Sequence, residues 1–351
     1  MSALTIANVA KRYASASGTR IAALNNMSLA VNEGELVAVL GASGCGKSTL
    51  LRLVAGFETA DAGTIRLGDR LLSGNGTHVP PEARKVGIVF QSYALWPHMD
   101  VAGNVGYALE VAGADKVRRQ ARIAQALDTV DLAGFQARRP GELSGGQRQR
   151  VALARCLAMD PDLVLLDEPL ANLDVHLRAS MLASFAAFHA KTRATMLYVT
   201  HDQAEAMALA SRIAVMAEGN VLQFADPRTL YREPATAAVA TFVGRGMVVP
   251  CDLLDGSNAR IFGQIFAVRA RQGQTRGQAS LCVRAENLVP DPAGFAATVA
   301  NAAYIGGAWE IEAAPDAAPD LRLRALLDDC AHPQAGDKIL LGLKDGWVLP
   351  D

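Results

Sequence analysis

A glycine-rich stretch from Gly41 to Thr49, GASGCGKST, restricts the possible folds of this chain more than any other feature. It matches G-x-x-x-x-G-K-[ST] and directly follows the apolar run Leu36 to Leu40, a pattern that predicts a strand, a phosphate-binding loop and a helix. Backbone N–H groups and the positive end of the helix dipole then surround phosphate oxygens. The eight-position match favours this interpretation over a glycine turn without a ligand. The predicted nucleotide-binding residues are Gly41, Ala42, Ser43, Gly44, Cys45, Gly46, Lys47, Ser48 and Thr49.

The chemistry expected of this loop depends on two side chains. The Lys47 ammonium reaches the β- and γ-phosphates, and the Ser48 hydroxyl is a ligand for Mg²⁺. The chain is therefore predicted to bind a nucleoside triphosphate with its metal.

Length and composition limit the classes of protein that need to be considered. A chain of 351 residues is longer than a single core usually grows, so two domains are expected. The formal net charge of −1 gives no general attraction to nucleic acid or to an anionic bilayer. No apolar run reaches the roughly 18 residues of a spanning helix, and the N-terminus lacks the order of a signal peptide. We therefore expect the protein to remain in the cytoplasm. Its five cysteines form no C-x-x-C pair, so neither a disulfide framework nor a zinc site is indicated.

Two further apolar runs end in polar residues that suit catalysis. The run Leu163 to Leu166 leads into Asp167 and Glu168, and the run Thr195 to Val199 is followed by His201. Strands that alternate with helices in this order predict a parallel sheet, whose ligands lie beyond the carboxyl ends of the strands. Adjacent carboxylates at such a position suit a ligand site better than solvated surface.

Helical patterns occupy much of the sequence between these strands. From Val101 to Val130 the apolar residues recur at helical spacing, with arginines on the opposite face. The motif LSGGQ then precedes another helical run, with Ser144 in the N-cap position. The exposed amides at this helix start predict a second anion site.

The pattern changes after Ala235, where short apolar strands separated by Gly, Pro and Asp replace the helical runs. This predicts a separate all-β unit, so the domains are expected to comprise residues 1–238 and 239–351. The predicted strands of this unit are Met247 to Leu254, Arg260 to Val268, Ala279 to Val289, Phe295 to Ile305, Leu321 to Leu327 and Lys338 to Leu349.

Taken together, these motifs resemble those of the ATP-binding subunits of ABC transporters. The resemblance covers Leu4 to about Ala235 and depends on GASGCGKST, Gln91, LSGGQ, LVLLDEP, ANLD and His201 in fixed order. It implies an α/β P-loop (RecA-like) ATPase core with antiparallel β and helical subdomains, followed by a smaller all-β, OB-like C-terminal regulatory domain.

Carried over to the matching positions, the resemblance also implies site roles. Tyr13 stacks on adenine, Gln91 contacts Mg²⁺ and the attacking water, and Lys47 contacts phosphate. Asp167 holds Mg²⁺ through water, Glu168 acts as general base, and His201 bridges to the γ-phosphate. In-line phosphoryl transfer mainly needs positioning and charge neutralisation, so one carboxylate for the metal and one for water agree with this assignment. The residues assigned to the interface between two copies are Ser144, Gly145, Gly146, Gln147 and Asp174.

The family also implies partners and a location. The subunit is expected to use ATP and Mg²⁺, to form a homodimer, and to act with integral-membrane permease subunits and, indirectly, a periplasmic or surface solute-binding protein. Its expected location is the cytoplasmic face of the inner membrane, as a peripheral protein. The segment FQSYALWPHM resembles the importers of ferric iron, polyamines and sugars. The combination of VPPEARKVGIVFQSYALWPH with a short β domain looks most like ferric-iron importers, with polyamine or sugar importers as alternatives. The segment from Gln91 to His98 is expected to border the groove that receives a permease helix, although a buried turn is the other reading.

Two other functional classes compete with this reading. ABC ATPases that act on DNA or ribosomes carry coiled coils or tandem cassettes, which this sequence does not contain. From Arg245 to Asp351 there are 10 Lys and Arg against 13 Asp and Glu, a balance that opposes binding to nucleic acid. A small-molecule P-loop kinase has no use for LSGGQ.

Overall fold

The computed structural model describes residues 2–14, 20–171 and 175–350, which form two compact units, Met1–Pro227 and Arg228–Asp351. The boundary predicted after residue 238 falls inside the helix Ala237–Phe242 of the second unit. In the part of the chain that the structure describes, no helix is long and apolar enough to cross a membrane.

The first unit contains two sheets and a group of helices. Its strands are β1 (Leu4–Ala14), β2 (Arg20–Val31), β3 (Leu36–Gly41), β4 (Ala62–Leu67), β5 (Arg70–Gly74), β6 (Thr77–His78), β7 (Val86–Val89), β8 (Leu163–Asp167), β9 (Met196–Thr200), β10 (Arg212–Ala217) and β11 (Asn220–Ala225). Its helices are α1 (Lys47–Ala55), α2 (Val101–Val111), α3 (Lys116–Thr129), α4 (Gly145–Ala158), α5 (Val175–Thr192) and α6 (Gln203–Leu209), with 3-10 turns at Pro81–Ala83 and Pro140–Glu142.

The larger sheet has the order β11-β10-β3-β9-β8-β7, in which only β11 runs antiparallel to its neighbour. Every residue of β3 is buried, as expected of a strand whose two faces are both covered. The second sheet, β2-β1-β4-β5-β6, is antiparallel. The predicted fold class, a P-loop core with antiparallel and helical parts, is confirmed.

The region predicted to be helical between Val101 and Val130 forms two helices. The chain forms α2 and α3 because Gly113 adopts a φ of 74° after α2 and the Asp115 carboxylate caps α3 by accepting from the Arg118 N–H. The predicted apolar face of α3 is buried at Ile123 and Leu127. Both helices pack against α4.

The second unit begins with α7 (Pro227–Arg232) and α8 (Ala237–Phe242) and continues as strands. These are β12 (Met247–Asp255), β13 (Asn258–Ile261), β14 (Gln264–Ala267), β15 (Gly277–Val283), β16 (Leu288–Tyr304), β17 (Ala308–Pro315), β18 (Leu323–Asp328), β19 (Lys338–Leu343) and β20 (Gly346–Val348). They form two antiparallel sheets, β14-β13-β12-β15-β20 and β18-β17-β16-β19, around one apolar core. The prediction of an all-β C-terminal region is confirmed.

Several of its strand predictions were wrong in detail, and one strand was missed. The segment predicted as one strand from Ala279 to Val289 is divided, because β15 ends at Val283 and a 3-10 turn precedes β16. The segment predicted as one strand from Arg260 to Val268 is a hairpin, because Phe262 and Gly263 adopt positive φ angles of 50° and 88°. The predicted strand Lys338 to Leu349 is divided into β19 and β20. The strand β17 was not predicted, although Trp309, Ile311 and Ala313 alternate with glutamates in it, a pattern typical of a half-buried strand.

A fully buried arginine joins the loop before β7 to the end of α1. Arg84 is 0% exposed and donates to the carbonyls of Val79, Leu53, Val54 and Leu72 at 2.6 to 3.2 Å. Burial lowers its pKa to about 10, so the side chain remains protonated at neutral pH. It therefore satisfies carbonyls at the end of α1 that have no partner within the helix.

Replacing Arg84 with Met is expected to destabilise the first unit by about 3 kcal/mol, because the carbonyls of Val54 and Val79 lose the Arg84 donor. The carbonyls of Leu53 and Leu72 each keep a backbone N–H donor. The fall in Tm would be about 10 °C. Trp96 is the only tryptophan of the first unit, so its fluorescence in a Trp309→Phe, Trp347→Phe background reports unfolding of that unit alone. Arg70→Met, at an exposed arginine, is the control. An equal Tm for the two variants would contradict this role of Arg84.

Candidate functional site

The predicted site residues gather at one edge of the parallel sheet. The strands β3, β9, β8 and β7 are consecutive neighbours with the same direction, so their carboxyl ends lie at the same edge. The residues that follow these four ends include the glycine loop, His201, Glu168 and Gln91. Four separate stretches of sequence are thus brought to one place.

Two glycines of the loop pack so closely against the protein that neither position has room for a side chain. A Cβ on Gly41 would lie 2.5 Å from both Cys45 Sγ and the Met216 carbonyl oxygen. At Gly46, φ is 108° and a Cβ would lie 2.4 Å from the Ala23 carbonyl oxygen. A Cβ on Gly44 would meet no atom within 4 Å among the described residues, so that side of the loop is open. This arrangement suits a ligand that approaches the backbone closely.

Lys47 lies inside the loop rather than in solvent. It is 6% exposed, and its ammonium group donates to the carbonyls of Gly41 at 2.7 Å and Ala42 at 3.0 Å. These two carbonyls hold the positive charge under the open face of the loop. An anion bound in the loop would therefore contact the Lys47 ammonium without a rearrangement of that side chain.

Asp167, the last residue of β8, interacts electrostatically with the Lys47 ammonium. Burial raises the pKa of Asp167, the Glu168 carboxylate raises it further, and Arg52 and Lys47 act in the opposite direction. A divalent cation would relieve both unfavourable effects, since it favours the ionised carboxylate. The donors available to Mg²⁺ are hard oxygens, which this ion prefers: the carboxylate of Asp167, the exposed hydroxyl of Ser48 and the amide oxygen of Gln91. No group of three or more His, Cys, Asp or Glu suited to a metal occurs within residues 2–14, 20–171 and 175–350.

Glu168 and His201 form a pair at the ends of β8 and β9. His201 Nδ1 lies 3.1 Å from Glu168 Oε2, and the histidine side chain is 55% exposed. Glu168 adopts a φ of 43°, an uncommon conformation for a residue with a Cβ, while its N–H donates to the Val199 carbonyl at 2.9 Å. Backbone strain of this kind clusters at functional sites. The pair thus places the Glu168 carboxylate, a proton acceptor, and the exposed His201 imidazole at the carboxyl edge of the sheet, which also carries the glycine loop.

A buried glutamate supports the strand end that carries His201, and sequence analysis did not identify it. Glu205 is 2% exposed, and its Oε2 accepts from the hydroxyls of Tyr198 and Thr200, both at 2.8 Å. Burial is the largest cause of its raised pKa. The only sequence signal was its place one turn into the helix after His201. This network fixes the residue before His201.

The predicted adenine contact, Tyr13, lies near the end of β1. It pairs with Ile21 on β2, two residues before Ala23, whose carbonyl packs against the glycine loop. The Lys11 ammonium lies 5.3 Å from the ring centroid, and the buried Tyr13 hydroxyl has no hydrogen-bond partner in the described part of the chain. The strand that pairs with Tyr13 therefore contacts the loop at Ala23.

The motif LSGGQ (Leu143 to Gln147), from here on the signature motif, leads into α4. Ser144 and Gln147 form a reciprocal capping box, in which the Ser144 N–H donates to Gln147 Oε1 at 2.9 Å and the Gln147 N–H to Ser144 Oγ at 3.3 Å. Gly145 is partly buried and Gly146 is buried. The predicted cap at Ser144 is therefore present, in a helix that contacts α2, α3 and β7. Asp174, which was predicted to lie at the interface between copies, is outside the described residues.

The segment after Gln91 is held by hydrogen bonds from Arg155, a side chain of α4. Arg155 donates to the carbonyls of Ala94 at 2.6 Å and Tyr93 at 2.9 Å, and its guanidinium lies 5.2 Å from the Trp96 ring centroid. Tyr93 is 7% exposed, and the Trp96 ring contacts that of Tyr107. Tyr93 thus packs inward and Trp96 is half-buried, while Ser92, Pro97 and His98 remain exposed. Asn104, fully buried, holds the Trp96 backbone through both its N–H and carbonyl.

Known proteins resemble this chain over most of its length. A family model described as "ABC transporter" matches residues 24–171. The Fe(3+) ions import ATP-binding protein FbpC of Brucella melitensis is 43% identical over 316 residues, covering 88% of this chain and 87% of that relative. The sn-glycerol-3-phosphate import ATP-binding protein UgpC 2 of Agrobacterium fabrum is 43% identical over 272 residues, covering 75% and 70%.

A solved structure shares the fold of the first part of the chain. It is a dimeric post-hydrolysis state of the ATP-binding cassette MJ0796 bound to ADP and phosphate, with a TM-score of 0.55 and 30% identity. The similarity covers 64% of this chain and 99% of that cassette. That protein binds its nucleotide products as a dimer.

Proposed function

This chain belongs to the ABC transporter family of ATP-binding subunits, and from that premise we propose that it hydrolyses ATP to drive ferric-iron import through a separate membrane permease. The observation that carries the proposal is the single sheet edge where the glycine loop, the Glu168–His201 pair and Gln91 meet. Iron is favoured as the solute because the FbpC relatives match over most of the chain.

In this proposal each residue at the edge has one task. Lys47 neutralises the β- and γ-phosphates from its place in the loop, and Tyr13 stacks on adenine. Glu168 accepts the proton of the attacking water, and the exposed His201 bridges to the γ-phosphate. Mg²⁺ would supply charge neutralisation, held by Ser48, Gln91 and, through water, Asp167.

We also propose that the active form is a homodimer in which each nucleotide lies between two subunits. The capped start of α4 offers the amides of Gly145 and Gly146 at a helix N-terminus, which suits the γ-phosphate of a nucleotide held by the other copy. Ser144 and Gln147 belong to the same surface. Asp174, outside the described residues, is proposed from the family resemblance to lie at the same interface. The subunit is then a peripheral protein on the cytoplasmic face of the membrane, supplied with solute by a separate binding protein.

Transport by the assembled complex tests the proposed solute. The subunit would be co-purified with its permease, reconstituted into vesicles, and assayed with ferric iron, spermidine and sn-glycerol-3-phosphate, each delivered by its own binding protein. We expect ATP-dependent uptake of ferric iron only. Uptake of another solute without iron would overturn the choice of substrate, and ATPase activity that no permease stimulates would overturn the importer role.

Cysteine cross-linking tests the proposed docking of a permease helix at the segment from Gln91 to His98. We expect cysteines at the exposed positions Ser92, Pro97 and His98 to cross-link to the permease, with yields that change when ATP is added. A cysteine at Tyr93 is expected to react poorly, because that side chain is buried.

The natural cysteines allow a clean background for this experiment. Cys330 is exposed and the other four are buried, so Cys330→Ser removes the accessible thiol. Val117→Cys, at a position that is 77% exposed on α3, is the control for random collision. If the three exposed positions cross-link no more than Val117→Cys, the docking assignment is wrong.

A further inference from the structure

His201 lies on the short link between β9 and α6, and burial does not fix its side chain. The imidazole side chain is 55% exposed, and its Nδ1 lies 3.1 Å from Glu168 Oε2. Its two neighbours in the chain are better enclosed, since Thr200 is 2% exposed and Asp202 is partly buried. The direction of the imidazole therefore depends on the backbone that these two neighbours hold in place.

The Thr200 hydroxyl joins the two ends of this link. It donates its hydrogen to Glu205 Oε2 at 2.8 Å, and its oxygen accepts from the Asp202 N–H at 3.0 Å. A hydroxyl group has a single hydrogen, so donation to Glu205 leaves its lone pairs for the Asp202 N–H. One hydroxyl thus closes a small ring of backbone, and the central residue of that ring is His201.

The Asp202 carboxylate connects the same link to two helices. Its Oδ1 accepts from the N–H groups of Ala204 and Glu205 at the start of α6, at 2.8 and 3.2 Å. Its Oδ2 accepts from Arg178 Nη1 of α5 at 3.0 Å, and Arg178 Nε lies 3.9 Å from Glu205 Oε1. The residue that follows His201 is therefore held by α5 and α6, while Thr200 ties it back to β9.

We propose that Thr200 is a positioning residue for ATP hydrolysis, whose hydroxyl, oriented by Glu205, holds the His201 imidazole where it reaches the γ-phosphate. The inference rests on the proposed function, from which it takes the role of His201. A displacement of about 1 Å at a reacting group can lower a rate by about 100-fold. Loss of this hydroxyl is therefore expected to slow turnover, while ATP binding is kept because the glycine loop and Lys47 are unchanged.

The variants Thr200→Val and Thr200→Ser form a matched pair. Valine keeps the shape of threonine without the hydroxyl, whereas serine keeps the hydroxyl without the methyl group. In the complex with permease, we expect the kcat of Thr200→Val to fall by about 10- to 100-fold, with a KM for ATP within about twofold of the wild type. The kcat of Thr200→Ser should stay within about threefold of the wild type. Equal kcat values for the two variants would overturn the proposal.

Thr195→Val separates positioning from stability. Thr195 is 0% exposed and lies just before the other end of β9, and its hydroxyl accepts from the Gly34 N–H at 2.9 Å. Both Thr→Val variants leave one backbone N–H without its acceptor, so the Tm of the first unit should fall by about 4 °C in each. Only Thr200→Val changes the link that carries His201, and Thr195→Val should keep the wild-type kcat. An equal loss of turnover in both would attribute the effect to destabilisation and overturn the proposal.

A double-mutant cycle tests whether Thr200 acts through His201. His201→Ala alone should lower kcat by about 100- to 1,000-fold, the usual result of removing a group that stabilises charge in the transition state. In that background the imidazole is absent, so Thr200→Val should lower kcat by less than about twofold more. A further loss as large as that in the wild-type background would show that the hydroxyl acts independently of His201, which would overturn the inference.

The same set of variants separates this inference from the proposed function. A large loss in His201→Ala with wild-type turnover in Thr200→Val would overturn the positioning role and leave the proposed function standing. A wild-type rate in His201→Ala would overturn the proposed role of His201 and this inference with it. The rates would be measured as release of radiolabelled phosphate from ATP, which also quantifies the slow variants.

Discussion

The variant Glu168→Gln is expected to bind ATP like the wild type and to lose turnover by about 100- to 10,000-fold, the usual contribution of a general base. Gln cannot accept the proton of the attacking water, whereas its size leaves the loop, Lys47 and the Mg²⁺ ligands unchanged. An ATP-dependent dimer should then accumulate, because the step that ends it is blocked. ATP turnover in the complex with permease and dimer formation by light scattering provide the two measurements.

A second glutamate provides a control variant, because it has the same left-handed backbone conformation as Glu168. Glu218 lies in the turn between β10 and β11 with a φ of 49°, close to the 43° of Glu168, and its side chain is exposed. Glu218→Gln repeats the chemical change in the same backbone conformation and should keep normal turnover. If Glu168→Gln hydrolysed ATP at the wild-type rate, its assignment as the base would be wrong.

The other large effect is expected from two subunits with different defects. Lys47→Ala removes the cation that the carbonyls of Gly41 and Ala42 hold in the loop. Ser144→Arg breaks the capping box and places a large side chain in front of the α4 amides. Each homodimer should lose nearly all activity. In a mixed dimer, the intact loop of one subunit faces the intact signature of the other, so one of the two sites is complete.

The matched control carries the same two substitutions in one chain. A dimer of the double variant with the wild type contains no complete site, although its composition equals that of the mixed dimer. Both dimers would be purified with two different tags and assayed for hydrolysis and for nucleotide trapping, since hydrolysis can require two occupied sites. We expect trapping only in the mixed dimer of single variants. If that dimer forms and traps no more than the control, nucleotides are not shared between subunits.

Local rules accounted for much of what the sequence predicted. The run Leu36 to Leu40 and the glycines after it required a strand and a loop, and both are present. The cap at Ser144 also followed from a short-range rule, because it needs only a hydroxyl three residues before an amide. The hairpin at Phe262 and Gly263 was missed because a left-handed conformation at phenylalanine has no sequence signal.

The sequence by itself determined the family and the identity of the proposed site residues, since the loop, the signature and the two carboxylates each carry their chemistry in a contiguous motif. Only the tertiary structure decided which of them meet. Strand order is set by long-range packing, and it places β9 between β3 and β8, so that His201 contacts Glu168 although 33 positions separate them in the numbering. Burial depends in the same way on long-range packing, and no local sequence pattern predicts it. Examples are the carbonyl partners of Arg84, the contacts of Arg155 with the Tyr93 and Ala94 carbonyls, and the buried Gln149.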